Sequence, residues 1–162
     1  PWRNELLKVT PEIRTFLLSA TFQDDTVKIL KRMFSEEEKW IEIRCDSLRK
    51  EPSFIFDRAK SFSEKKKKVL DLVNKLPRPM IVYVNVPYEA KKWKQILEAE
   101  GYGNVRTFTG ETKTAERNEL IEQWANDEYD LMVATSAFGV GVDKPDVRTV
   151  LHLYVPESPD SY

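Results

Sequence analysis

Met80–Val86, reading MIVYVNV, is an almost unbroken apolar run set between Pro79 and Pro87. Proline interrupts a ladder as it interrupts a helix, so the run is held to strand length. A strand with one wet face alternates polar and apolar residues. This one does not, so both of its faces must be covered. The flanking sequence supplies the cover. Glu64–Leu76 carries Val69, Leu72, Val73 and Leu76 at helical spacing. Tyr88–Glu100 turns Ala90, Trp93, Ile96 and Leu97 inward and is stopped by Gly101. Thr114–Asn126 packs through Leu120, Ile121 and Trp124. Val105–Phe108, Tyr129–Ala134 and Arg148–Val155 read as strands between and after these helices. Repeated strand–helix–strand units predict an α/β fold: a mainly parallel β-sheet with helices on both faces and right-handed crossovers.

The first third of the chain is less regular. Thr15–Leu18 reads as a short strand ending at Ser19-Ala20-Thr21. Asp24 is placed to cap a helix with Val27, Leu30 and Phe34 inward. Trp40–Cys45 and Ser53–Arg58 alternate and are expected to be strands. The charged stretch from Glu36 to Pro52 lacks apolar periodicity and reads as a linker. The expected organisation is therefore 1–35, a segment belonging to a neighbouring domain; 36–52, the linker; and 53–162, the α/β body. Pro1 in place of Met, and an end just past a strand, read as cuts in a longer protein.

Composition narrows the function classes. Cys45 and His152 are single, which leaves no disulfide framework and makes a transition-metal site a poor fit. Lone-cysteine usage suits a reducing compartment. The apolar runs are only a few residues long, so nothing is expected to cross a membrane. The net charge of −1 gives no overall attraction for nucleic acid, so any such binding must be local or carried by backbone amides. Lys65–Lys68 is the densest basic cluster and reads as the solvated half of a helix. His152 and the tryptophans Trp40, Trp93 and Trp124 fall at packed positions rather than at sites of catalysis or base stacking.

Chemistry gathers at the ends of the expected strands. Leu131–Pro145 reads LMVATSAFGVGVDKP: a buried strand delivers the hydroxyls of Thr135 and Ser136, then Gly139, Gly141 and Asp143. Hydroxyls, flexible glycines and a carboxylate at one sheet edge suit a phosphate or ribose site. The run Ala134–Pro145 resembles motif V of superfamily 2 helicases, in its RecQ-like wording. Three other segments fall in order with it. Leu17–Phe22 (LLSATF) resembles motif III, although a strand ending in Ser-Ala-Thr is common on its own. Met80–Pro87 resembles motif IV. Phe108–Arg117 (FTGETKTAER) is similar to the segment that comes after motif IV, but with Phe-Thr-Gly where RecQ-like chains carry His-Ala-Gly. Asp143 likewise stands where those chains often have Asn.

The resemblance implies a second RecA-like lobe preceded by the tail of the first. It implies strand-backbone contacts from Asn85, Val86, Thr109, Gly110, Arg117, Thr135 and Ser136. Arg117 also suits an intramolecular ion pair, and Asn85 and Val86 an ordinary turn. Inter-lobe coupling falls to Ser19 and Thr21, and nucleotide contact to Gly141 and Asp143. The implied partners are single-stranded DNA and the first RecA-like lobe of the same chain, with no membrane and an open oligomeric state. The implied cofactors are ATP and Mg2+, with the Mg2+ ligands outside this segment. No G-x-x-x-x-G-K-[ST] loop, D-E-x-H run or Q-x-x-G-R-x-G-R motif is present, so the chain is expected not to hydrolyse ATP alone. The expected parent is an ATP-dependent DNA helicase of repair or recombination. It would be cytoplasmic, at the nucleoid in a prokaryote or in the nucleus of a eukaryote. An RNA helicase or double-strand translocase, and a non-catalytic nucleic-acid-binding or scaffold module, are the alternatives.

Overall fold

The computed structural model describes residues 15–19, 22–34, 40–44, 50–139, 142 and 144–155. The chain divides into two compact units, Pro1–Phe54 and Ile55–Tyr162. In the first, helix α1 runs Asp24–Phe34 and buries Val27. Acidic Asp24 and Asp25 open it and basic Lys31 and Arg32 close it, the order its dipole favours. Asp24 is the first helical residue rather than its cap, and its carboxylate meets Arg44 at 3.0 Å.

Three expected strands are not strands. Thr15–Leu18, Trp40–Arg44 and Ser53–Arg58 lack regular secondary structure, with Leu18, Ile43 and Phe56 each about nine-tenths exposed. Alternation chooses which residues share a face, but a strand also needs a ladder to join. Cys45 lies outside the described residues.

The second unit holds the sheet. Its elements are α2 (Phe62–Lys75), β1 (Met80–Tyr83), α3 (Pro87–Ala99), β2 (Val105–Phe108), α4 (Thr114–Ala125), β3 (Leu131–Ala134) and β4 (Thr149–His152). The strands lie in the order β2-β3-β1-β4 and every pairing is parallel. The pairs Tyr83↔Ala134, Phe108↔Ala134 and Tyr83↔His152 align all four strand ends in one row.

Period-two alternation divides the core. Met80, Val82 and Val133 face α2 and α3, meeting Val69, Val73, Ala90, Trp93 and Leu97. Ile81, Met132 and Ala134 face α4, meeting Leu120, Trp124 and Phe138. The sheet is thus buried on both sides, as the unbroken Met80–Val86 run requires. The path β1–α3–β2 passes over β3 in one direction, and β2–α4–β3 returns. Crossovers of one hand running in opposite directions place their helices on opposite faces.

Local signals fix the helix ends. Ser61 caps α2 by accepting from the Glu64 amide at 3.1 Å, and Glu64 accepts from the Lys60 amide at 2.8 Å. These two bonds start the helix two residues before the periodicity does. Pro87 sits in the first turn of α3, which ends β1 earlier than its apolar run suggests. At the other end Gly101 has φ +96, and the amides of Gly101 and Tyr102 bond back to Glu98 and Leu97. That is a Schellman cap, and glycine reaches its positive φ without strain.

The lysine run is largely engaged internally. Lys65 donates to the Leu153 carbonyl at 2.5 Å, Lys66 pairs with Glu100 at 3.1 Å, and Lys68 pairs with Asp57 and Glu64.

Candidate functional site

Alignment of the four strand ends fixes where the next residues lie. Thr109 and Thr135 stand one residue beyond the row, and Asn85, Gly110 and Ser136 stand two beyond. Ladder bonds continue that far, with the Thr135 amide donating to the Phe108 carbonyl at 3.1 Å and the Val84 amide to the Ala134 carbonyl at 2.8 Å. The carboxyl ends of β1, β2 and β3 therefore bring six of the sequence-predicted site residues to one rim. Neighbouring strands lie about 4.8 Å apart. Asn85, Val86, Gly110 and Ser136 are exposed on the rim, while Thr109 and Thr135 are buried beneath it.

The strand order also sets a topological switch point at this rim. From β1 the chain leaves toward β2 along the α3 face. From β3 it leaves toward β4, with Ala137, Phe138, Val142 and Val147 packed on the α4 face. Connections that diverge from two adjacent strands open a cleft at their carboxyl ends, where ligands of open α/β sheets bind.

Among the described residues Arg117 has no ion-pair partner. Its guanidinium donates to the carbonyls of Thr112 at 2.8 Å, Gly110 at 2.9 Å and Thr109 at 3.4 Å. The fork of donors gathers the turn after β2 from within. Thr109 tightens the same turn, its amide donating to the Thr112 hydroxyl and its own hydroxyl accepting from the Glu111 amide. A Cβ at Gly110 would meet only open space. Among the described residues nothing demands glycine there.

The start of α3 already holds an anion. Glu89 accepts from the Asn85 amide at 3.3 Å. The carboxylate supplies the negative charge favoured at a helix amino terminus. Lys91 of α3 pairs with Glu111 in the turn after β2 at 2.9 Å.

Sequence reasoning missed two anchors of the segment after β3. Tyr83 donates its hydroxyl to the Phe138 carbonyl at 3.0 Å, and burial raises its pKa, so it stays a donor. Lys144, its side chain 5% exposed, lies between Asp127 at 2.6 Å and Asp146 at 3.1 Å. The bond to Asp127 is the main cause of its raised pKa. A polar-tipped Tyr at the end of an apolar strand was the available signal for the first. Lys144 and Asp127 are far apart in sequence and gave none. His152 is packed as expected, stacked on Tyr83 at 5.1 Å, and burial lowers its pKa.

Ser19 is exposed in a segment without regular structure. Thr21, Gly141 and Asp143 lie outside the described residues. Three of the basic side chains are engaged within the chain, Arg117 by carbonyls and Lys91 and Lys144 by carboxylates. Among the described residues no cluster of three His, Cys, Asp or Glu suits a metal ion.

Known proteins place this geometry. The model of the helicase conserved C-terminal domain matches residues 64–162. The probable ATP-dependent DNA helicase RecS of Bacillus subtilis is 29% identical over 106 residues, 65% of this chain and 21% of that protein. The ATP-dependent DNA helicase RecQ of Bacillus subtilis is 39% identical over 75 residues, 46% of this chain and 12% of that protein. The ATP-dependent RNA helicase RhlB of Pseudomonas putida is 28% identical over 167 aligned residues, 100% of this chain and 41% of that protein. The chain thus spans less than half the length of each relative. In fold it is similar to S. cerevisiae Dbp5 bound to Gle1 and IP6, with TM-score 0.67 at 21% identity, over 97% of this chain and 40% of that one. With the all-parallel sheet and the motif order, these matches place the chain in the helicase conserved C-terminal domain family, as a RecQ-like, RecA-like lobe of superfamily 2.

Proposed function

We propose that this lobe supplies half of a single-stranded DNA track in an ATP-dependent helicase or translocase. The observation that carries the reading is that Asn85, Gly110 and Ser136 are exposed and each stands two residues beyond an aligned row of strand ends. Amides and a hydroxyl on a rim grip the sugar–phosphate backbone and ignore base identity, as a motor requires. Motion of this rim against a first lobe, gated by nucleotide, moves the strand. Gly141 and Asp143 face the nucleotide in this reading, and Ser19 and Thr21 couple the lobes. The chain alone does not turn over ATP, because the phosphate cradle and its Mg2+ ligands come from elsewhere.

The test is ATP hydrolysis by the full-length protein with no nucleic acid, with single-stranded DNA and with RNA, and this chain as control. Stimulation by DNA alone is expected. Stimulation by RNA alone favours the second reading, an RNA helicase, which the whole-chain match to RhlB supports. No hydrolysis under any condition sinks the motor reading.

Arg117 offers a sharper check of how the rim is built. Arg117→Lys and Arg117→Met are expected to weaken oligo(dT) binding about equally and to cost about 1–2 kcal/mol of stability. A lysine keeps the charge but cannot span three carbonyls. Wild-type affinity in Arg117→Lys would mean that the charge itself touches phosphate.

A further inference from the structure

The phenol of Tyr83 joins two parts of the rim that the sequence presents separately. Tyr83 is the last residue of β1, two before Asn85. Its hydroxyl donates to the Phe138 carbonyl at 3.0 Å. Phe138 closes the turn that carries Thr135 and Ser136, its amide donating to the Thr135 carbonyl at 3.0 Å. The Phe138 ring packs edge-on against Phe108 at 5.0 Å and Trp124 at 6.1 Å. Rotating that carbonyl therefore disturbs contacts to β2 and α4 as well.

The phenol is held at two points and has little room beyond its tip. One face of the ring stacks on His152, with centroids 5.1 Å apart and planes 20° apart. The tip is held by Phe138. Beside the tip, Gly139 has φ +121, and a Cβ there would lie 3.1 Å from the Tyr83 oxygen. Phenylalanine would keep the ring and its stacking and lose only the oxygen, so core packing does not explain why tyrosine stands here.

We propose that Tyr83 is a positioning residue: its hydroxyl sets the Thr135–Phe138 turn so that Ser136 stands level with Asn85 for the same bound strand. This rests on the strand-binding reading of the rim. The hydrogen bond ties the end of β1 to the turn after β3, so a shift at one is transmitted to the other.

Tyr83→Phe in the full-length protein tests it in two arms. The first, without nucleic acid, follows hydrogen exchange at the Phe138 amide, which is expected to quicken about tenfold as the turn loosens. The second measures affinity for fluorescent oligo(dT), expected to fall about five- to tenfold. In a Ser136→Ala background the same substitution is expected to add little, because both act through one contact. Unchanged exchange overturns the proposal. So does faster exchange with wild-type affinity, or a fully additive double variant. If wild type itself fails to bind oligo(dT), the strand-binding reading fails, and the positioning role for DNA with it. The exchange arm then still decides whether the hydroxyl sets the turn.

Discussion

Trp93→Ala is expected to remove about 3–5 kcal/mol of folding stability, the range for emptying a tryptophan-sized space in a core. Trp93 is 1% exposed among Val82, Val84, Ala90 and Leu97, and its ring lies 5.8 Å from that of Phe62. It is the largest side chain holding α3 to the sheet. Domains of this size are stable by about 5–15 kcal/mol in total, so the loss brings the fold close to its limit. Urea unfolding followed by far-ultraviolet circular dichroism measures it. With a slope of about 2 kcal/mol per M the midpoint drops by about 2 M. Trp93→Phe is expected to recover more than half of the loss. A loss below about 1 kcal/mol for the alanine variant would show that the indole does not support the core.

Gly139→Ala is the second large effect, and it strikes the rim rather than the core. A side chain at φ +121 is strained wherever it occurs, at about 1–3 kcal/mol. Here the added Cβ also presses on the Tyr83 oxygen, 3.1 Å away. The expected result is a destabilisation of that size together with an oligo(dT) affinity reduced at least as much as in Tyr83→Phe. Gly103→Ala is the control, since no atom lies near its Cβ and its φ is not positive; it is expected to stay within about 0.5 kcal/mol of wild type. Equal effects from the two substitutions would mean that Gly139 is an ordinary loop glycine.

The parts of the fold that are legible in sequence are those whose signal is local and whose partners lie in the same unit. The Met80–Val86 run names a strand covered on both faces, and β1 lies between β3 and β4 with both faces packed. Helical spacing turns Ala90, Trp93 and Leu97 inward on α3, and all three are fully buried. Gly101 reads as a stop and closes a Schellman cap. The alternating segments at Trp40 and Phe54 mislead because side-chain pattern carries no information about ladder partners. In the site, motif order is enough to name the strand-end residues, and the register aligns the strands that carry them. The deeper supports are not legible. Arg117 holding three carbonyls, Glu89 at the Asn85 amide and Lys144 between two aspartates are matters of where side chains come to rest. Only the last of these spans a long loop, but none leaves a spacing that differs from an ordinary charged surface.

The strand order has a consequence for how this lobe tolerates addition. Asn85 and Ser136 follow the ends of two strands joined by a single seam, the pairing of β1 with β3 in the middle of the sheet. β2 and β4 flank that seam, each with one side unoccupied by any other strand among the described residues. Material docked along either flank adds backbone bonds at the margin and leaves the seam in register. The lobe is therefore built like a ruler with its graduations in the centre: lengthening the ends does not move the marks.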